Sequence, residues 1–298
     1  MRITLGMWAI GALIGVTSAA MAQNMSPADV DALPSTPPAQ VAAYGTDPLQ
    51  VGELRLPTGK GPFPVVVVVH GGCWTKGFAT RKSTAALATA LTAMGYATWN
   101  IEYRQLGDQG AGWPGTFKDW ADATDYLRTL AKSHPLKLDH VAVVGHSAGA
   151  HAALWIASRA SLPEKSAIGS RRPLPISTAV AIDGPGELAP FVGFDEQICG
   201  QPVIAPLIGG LPKDQPERYR LASPVDNLPT SAREYLIASA VLTADAAAHY
   251  RSVAAAKGQD VQVLNVTDGG HFDIIAPGSK AWEQQVRPFL AKALMATP

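Results

Sequence analysis

The sequence of 298 residues carries little charge and no excess of either sign. Its 24 lysine and arginine residues balance its 24 aspartate and glutamate residues, so the formal net charge is zero. A nucleic-acid-binding surface needs a stripe of basic side chains, and an acidic solvating tail needs a run of carboxylates. Neither pattern occurs, so the composition predicts a small, roughly neutral partner and no nucleic acid.

The chain also lacks a long apolar run. The only candidate, residues 5–16, is too short to span a bilayer comfortably, so we expect no membrane anchor. It follows the basic residue Arg2 and precedes Ala20-Met21-Ala22, a small-x-small cleavage site. This pattern predicts a signal peptide over residues 1–22, cleaved near Ala22. The expected location is therefore the periplasm or the medium, where disulfides persist.

Beyond the signal peptide, the chain divides by composition. Residues 23–44 are rich in proline, alanine and serine, which predicts a flexible linker. Residues 45–298 alternate strand and helix patterns, and the five valines at 65–69 indicate a strand buried on both faces. We therefore predict one α/β domain with a doubly wound, mostly parallel sheet. Residues 184–230 interrupt the alternation with prolines and glycines and are predicted to form a small cap.

The strongest motif is GHSAG, residues 145–149, between a predicted strand and a predicted helix. The G-x-S-x-G spacing is typical of a nucleophilic serine on a sharp turn, where larger flanking residues would collide with the strand and helix. An isolated motif of this kind is also compatible with a serine that caps a helix. The strand–turn–helix context favours Ser147 as a nucleophile.

Two further glycine motifs fall at predicted strand ends. His271, in GGHF, follows the last predicted strand at the carboxyl edge, which makes it the candidate base. The HGGCW motif, residues 70–74, follows the valine strand. Its backbone N–H groups at Gly71, Gly72 and Cys73, with that of Ala148, could form the oxyanion hole that acyl transfer requires.

Taken together, HGGCW, NIEYR (residues 100–104), GHSAG and GGHFDIIAP resemble the α/β-hydrolase superfamily, and most closely its secreted esterase and arylformamidase-like branch. The resemblance extends from about Tyr44 to the C-terminus. It implies an eight-stranded sheet, a Ser-acid-His triad, no metal and no cofactor. The expected substrate is therefore a small-molecule carboxylic ester.

The acid of the triad is the part that departs from this family pattern. Members of the family usually carry it just after the penultimate strand, where this sequence has Ser239 and Ala240. Four carboxylates between Ser147 and His271 are the candidates for this acid. We favour Asp183, at the end of a predicted strand, with Asp245 as the second choice; the remaining two are Glu187 and Asp226.

Other predictions concern the surroundings of the site. Trp74, Tyr103 and Trp113 are candidates for an aromatic substrate pocket, although packing alone would also explain them. Cys73 and Cys199 are the only cysteines, and we predict a disulfide between the HGGCW loop and the cap, with two buried free thiols as the alternative. The competing functions are an arylformamidase or other amidase, and a secreted binding protein without turnover.

Overall fold

The computed structural model describes residues 24–295 and contains one eight-stranded sheet. Its strands are β1 (Gln40–Ala43), β2 (Val51–Arg55), β3 (Phe63–Val69), β4 (Ala97–Ile101), β5 (Leu136–His146), β6 (Thr178–Ile182), β7 (Arg233–Ala238) and β8 (Val261–Asn265). Their order is β1-β2-β4-β3-β5-β6-β7-β8, and β2 runs antiparallel to both neighbours while all other pairs are parallel. The predicted mostly parallel sheet is confirmed.

Strand β3 shows why the sheet needs helices on both faces. Val65, Val67 and Val69 point into one hydrophobic cluster, and Val66 and Val68 point into the other. All five side chains are buried. Because burial of one valine stabilises a fold by about 1.5–3 kcal/mol, both faces contribute to the stability of the sheet.

The helices cover the two faces unequally. They are α1 (Pro27–Asp31), α2 (Ala85–Ala93), α3 (Gly115–Asp125), α4 (Leu127–Leu130), α5 (Ala148–Ser158), α6 (Phe194–Cys199), α7 (Ile204–Ile208), α8 (Pro216–Ala222), α9 (Ala244–Ala256) and α10 (Arg287–Met295). Helices α3, α5 and α9 pack on one face, and α2 and α10 pack on the other. Within residues 24–295, no helix is long and apolar enough to cross a membrane.

The N-terminal part of the described chain differs from the flexible linker predicted for residues 23–44. Ser26 and Asp29 form a capping box that starts α1, and Val30 is buried under it. Further on, β1 pairs with β2 and extends the sheet. The apolar side chain of Val30 and the edge of β2 hold this segment on the domain. The predicted signal peptide, residues 1–22, lies outside the described residues.

The carboxyl edge of the sheet brings the predicted site residues together. Ser147 follows β5, Asp183 follows β6, and His271 lies in the loop after β8. The segment predicted to form a cap, residues 184–230, contains α6, α7 and α8. A disulfide between Cys73 and Cys199 joins the loop after β3 to α6.

Candidate active site

Ser147 occupies a strained turn between β5 and α5. Its φ is 57° and its ψ is −121°, a backbone conformation that non-glycine residues rarely adopt. A Cβ atom on Gly145 would lie 1.8 Å from the Gly149 carbonyl oxygen, and one on Gly149 would lie 2.2 Å from the Val69 oxygen. The glycines of G-x-S-x-G are therefore required by close backbone approach. The Ser147 N–H donates to the Ile182 carbonyl over 2.8 Å and anchors the turn to β6.

His271 lines the same cavity as Ser147 and contacts a buried carboxylate. Its Nδ1 lies 2.7 Å from Oδ2 of Asp183, whose side chain is fully buried. An ionised carboxylate only accepts hydrogen bonds, so Nδ1 donates and Nε2 is left unprotonated in the neutral ring. This tautomer is the one that a base beside a serine hydroxyl needs.

The carboxylate of Asp183 is held by backbone as well as by His271. Its two oxygens accept four N–H groups over 2.8–3.1 Å, from Ser239, Ala240, Val241 and Leu242. Burial by itself would raise the pKa of Asp183, but the hydrogen bond and charge of His271 and these backbone donors lower it below its ordinary value. The carboxylate therefore stays ionised.

The other three candidate acids lie elsewhere. Asp245, the second choice from the sequence, is exposed in the first turn of α9. Glu187 lies 3.7 Å from His249, and Asp226 is exposed. Among these carboxylates only Asp183 contacts His271, because β6 and β8 end on the same edge with the loop after β7 between them.

Hydrogen bonds from buried polar side chains hold the first residues of the HGGCW loop in place. The Gly71 carbonyl accepts hydrogen bonds from Nδ1 of His70 over 2.8 Å and from the Tyr103 hydroxyl over 3.3 Å. Nε2 of His70 lies 2.7 Å from Glu102. Both ring nitrogens of His70 therefore face acceptor oxygens, and His70 and Glu102 form a buried hydrogen-bonded pair.

The next two carbonyls of this loop are also occupied. The Gly72 carbonyl accepts the Thr75 N–H over 2.9 Å, and the Cys73 carbonyl accepts the Thr75 hydroxyl over 2.8 Å. In a trans peptide the N–H points opposite to the carbonyl. The Gly72 N–H therefore points away from the side chains that hold the Gly71 carbonyl. The Cys73 N–H likewise points away from Thr75, which holds the Gly72 carbonyl. The Ala148 N–H is at the first position of α5, where it has no partner within the helix.

Sequence reasoning missed His70, Glu102 and His146 as parts of the site. Nε2 of His146 lies 2.8 Å from the His271 carbonyl oxygen. Burial, and then the nearby His271, lower the pKa of His146 to about 3, so the ring is neutral and donates this hydrogen bond. His146 thereby positions the backbone of His271. The sequence did contain signals for two of these residues: His70 belongs to the HGGCW motif, and Glu102 belongs to the NIEYR motif.

Two cavities meet at Ser147. The outer cavity, about 280 Å³, contains His271, and its wall includes Asp31, Gly71, Phe78, Ile198 and Phe272. The inner cavity has a volume of about 30 Å³, and its wall includes Cys73, Trp74, Ala148, Phe191, Ile198 and Val241. Helix α1 contributes Pro27 and Asp31 to the outer cavity, so the N-terminal segment forms part of the site.

Two of the three predicted pocket aromatics do not reach these cavities. Trp74 lines the inner cavity. Tyr103 is fully buried, and its hydroxyl donates to the carbonyls of His70 and Gly71 in the HGGCW loop. Trp113 packs against Phe117 and lies under the guanidinium of Arg218. Of the three aromatic residues predicted to line a substrate pocket, only Trp74 lines either cavity.

This arrangement of sheet, serine turn and histidine agrees with a comparison of the chain with protein families. The family model BD-FAE matches residues 53–248, well over half of the chain. The chain belongs to the BD-FAE family. This is an esterase family of α/β-hydrolase type, so membership in BD-FAE supports ester hydrolysis as the class of activity.

Solved structures agree with the fold of this BD-FAE member. A truncated carbohydrate esterase from gut microbiota is 18% identical, with a TM-score of 0.70 over 87% of this chain and 98% of that one. Esterase B from Lactobacillus rhamnosis, inhibited by a tributyrin phosphonate, is 19% identical, with a TM-score of 0.70 over 87% and 88%. Butyrate-bound Thermogutta terrifontis esterase 2 is 13% identical, with a TM-score of 0.64 over 86% and 94%. A comparison with curated proteins finds no match.

Proposed function

We propose that this protein is a serine hydrolase that cleaves carboxylic esters through an acyl-enzyme on Ser147. The observation that carries the proposal is the 2.7 Å contact between His271 Nδ1 and buried Asp183, in a cavity that also contains Ser147. A base with a fixed tautomer, beside a serine on a strained turn, is the arrangement that activates a hydroxyl nucleophile.

In the first half-reaction, Ser147 Oγ attacks the ester carbonyl carbon while Nε2 of His271 accepts the hydroxyl proton. Asp183 stabilises the imidazolium that forms. The backbone N–H groups of Cys73 and Ala148, with Gly72 beside them, bind the developing oxyanion. His271 then donates the proton to the alkoxy oxygen, the C–O bond breaks, and the alcohol leaves.

In the second half-reaction, water takes the place of the alcohol. His271 accepts a proton from this water as its oxygen attacks the acyl carbon on Ser147. Collapse of the intermediate breaks the bond to Oγ, and His271 returns the proton to Oγ. The products are a carboxylic acid and the free enzyme, so one water is consumed for each ester cleaved.

We place the two sides of the ester in the two cavities. His271 must protonate the leaving alcohol, and His271 lines the outer cavity only. The alcohol therefore occupies the outer cavity, and the acyl chain occupies the inner cavity between Trp74 and Phe191. A volume of about 30 Å³ would hold about two water molecules. We therefore propose short acyl groups, acetyl or propionyl, as the preferred substrates.

Turnover of p-nitrophenyl acetate by the purified protein tests the proposal. We expect hydrolysis that Ser147→Ala lowers by several powers of ten. The matched control is Ser161→Ala, at an exposed serine outside both cavities, which should retain the parent rate. A fluorophosphonate probe should label Ser147 alone, and labelling that survives Ser147→Ala would refute the assignment.

The same groups could attack an amide, so the assay must also separate an arylformamidase or amidase from an esterase. Formanilide, the N-formyl derivative of aniline, is the amide substrate for this comparison. We expect its kcat/KM to be well below that of p-nitrophenyl acetate, and the reverse order would make the protein an amidase. A secreted binding protein is indicated if neither substrate turns over and no probe labels Ser147.

We also propose that the protein acts in the periplasm or outside the cell. Two observations support this location: the signal-peptide pattern in residues 1–22, and the disulfide between Cys73 and Cys199, which persists in oxidising compartments. Fractionation of cells that express the full chain, with N-terminal sequencing, should find a protein that begins near Gln23. Full-length protein in the cytosol would contradict the proposal.

A further inference from the structure

A third cavity adjoins the inner cavity at Phe191, and none of the residues that line it also lines the outer cavity. This rear cavity has a volume of about 220 Å³, and its wall includes Gly186, Leu236, Leu242, Ala246, His249 and Tyr250. It lies between the sheet, helix α9 and the start of the segment 184–230. The proposed reaction makes no use of it.

Phe191 is the one residue that lines both the inner and the rear cavity. Two other short segments divide between the cavities. Pro185 lines the inner cavity while Gly184 and Gly186 line the rear one, and Val241 lines the inner cavity while Leu242 lines the rear one. The Phe191 ring is therefore the part of the wall that a side-chain substitution can remove.

The backbone of these two segments is firmly held. The N–H groups of Val241 and Leu242 donate to the Asp183 carboxylate, and the Gly186 carbonyl accepts the Val225 N–H over 3.1 Å. Phe191, by contrast, is only half-buried and is the last residue of a short 3₁₀ turn. Removal of its ring is thus expected to open the wall without moving the catalytic groups.

The rear cavity has the chemistry of an alkyl-chain site. Leu236 and Leu242 are buried apolar side chains in its wall, and the Tyr250 hydroxyl is occupied by a hydrogen bond to Glu234 over 2.9 Å. The cavity reaches solvent beside His249, whose side chain is 65% exposed. An acyl chain that passed the position of Phe191 would contact these leucines, while Glu187 and His249, which also line the cavity, lie 3.7 Å apart and are partly exposed to solvent.

We propose that Phe191 sets the maximum acyl-chain length of this enzyme by closing the inner cavity off from the rear cavity. The proposal rests on the proposed function, and it identifies the rear cavity as a latent site for medium-length alkyl chains. In the natural protein, chains longer than propionyl meet the ring. With the ring removed, six- to eight-carbon chains continue into the rear cavity.

The test compares kcat/KM for p-nitrophenyl acetate and p-nitrophenyl octanoate, below the micelle concentration, in the natural protein and in Phe191→Ala. We expect the octanoate-to-acetate ratio to rise at least tenfold in the variant, since a single methylene in a fitted apolar pocket changes kcat/KM by about 10–200-fold. Phe191→Leu, a smaller change, should give an intermediate ratio and serves if the alanine variant does not fold.

Two controls keep the result specific. Phe289→Ala also truncates a half-buried phenylalanine, but this ring packs against Tyr235 on the opposite face of the sheet, so the ratio should not change. In the second control, Ala246→Trp is added to Phe191→Ala to fill the rear cavity. It should remove most of the gain on octanoate and leave the acetate rate close to that of Phe191→Ala.

The outcomes separate this proposal from the proposed function. A folded Phe191→Ala or Phe191→Leu that hydrolyses acetate with an unchanged ratio overturns the role of Phe191 and leaves the esterase assignment intact. A gain that persists when Ala246→Trp fills the cavity overturns the rear cavity as the chain site. If the natural protein hydrolyses no ester and no probe labels Ser147, the proposed function fails, and this inference fails with it.

Discussion

The Asp183 carboxylate contacts His271 across a strand that separates them in the sheet. Asp183 follows β6 and His271 follows β8, yet their Oδ2 and Nδ1 atoms lie 2.7 Å apart. The loop after the intervening strand β7 carries Ser239 and Ala240, which donate backbone N–H groups to the same carboxylate. The carboxylate that contacts His271 thus follows β6, and the loop after β7, where the family usually carries the acid, binds this carboxylate through backbone N–H groups.

Substitution of Asp183 should therefore disable the base. Asp183→Asn keeps the volume but presents a neutral amide to His271, so the tautomer is no longer held and the imidazolium is no longer stabilised. We expect kcat for p-nitrophenyl acetate to fall by about four powers of ten. Asp245→Asn, at the exposed carboxylate, is the matched control and should retain the parent rate. A parent rate in folded Asp183→Asn would exclude Asp183 as the acid.

The buried pair beneath the HGGCW loop should affect turnover more than binding. Glu102→Gln replaces the carboxylate that contacts His70 with an amide, and His70 holds the Gly71 carbonyl. We expect kcat to fall about 10–100-fold with KM changed less than threefold, because the loop would present its N–H groups less accurately to the transition state. Glu283→Gln, in an exposed ion pair with Arg287, is the control. Equal changes in kcat and KM would argue against a positioning role.

The disulfide between Cys73 and Cys199 should stabilise both the fold and the loop. The two residues are 126 positions apart, and closing so long a loop contributes about 3–5 kcal/mol to the free energy of unfolding. We expect no free thiols in the denatured, unreduced protein, and a lower urea midpoint and lower kcat after reduction. Cys199→Ser should reproduce both effects. Two reactive thiols before reduction would show that the bond is absent.

Glu234 should make the stability of the protein fall as the pH rises. Burial raises the pKa of Glu234 to about 7, despite its hydrogen bond from Tyr250. Glutamate in an unfolded chain titrates near about 4.3, so folding favours the protonated acid. The stabilisation is complete below the unfolded value and is lost as the pH rises through about 7, a change of about 3 kcal/mol.

Urea unfolding at pH 5 and pH 8 measures this effect. Glu234→Gln has no proton to lose, so its loss of stability between the two pH values should be smaller than that of the natural protein by about 3 kcal/mol. Glu196→Gln, at an exposed glutamate on α6, should behave like the natural protein. Parallel pH dependences in all three proteins would contradict the burial of an ionisable Glu234.

Much of the fold could be predicted because its signals are local. The five valines at 65–69 predict a strand buried on both faces, and the valines alternate between the two clusters. The GHSAG motif predicts a sharp turn, since the glycines are needed by contacts that the turn itself creates. The composition of residues 23–44 does not predict α1 and β1, because Val30 and the edge of β2 stabilise that segment only after the domain has formed.

By itself, the sequence determined the mostly parallel sheet, the turn of Ser147, and the position of His271 and the glycine loop at one edge. Local hydrophobic pattern and backbone sterics carry those features. Tertiary structure alone decided which of the four candidate carboxylates reaches His271. It also decided that Tyr103 and Trp113 lie outside the two cavities, and that Phe191 lines the end of the inner cavity. Such contacts join residues far apart in the chain, so their distances depend on how strands and loops pack rather than on any short pattern.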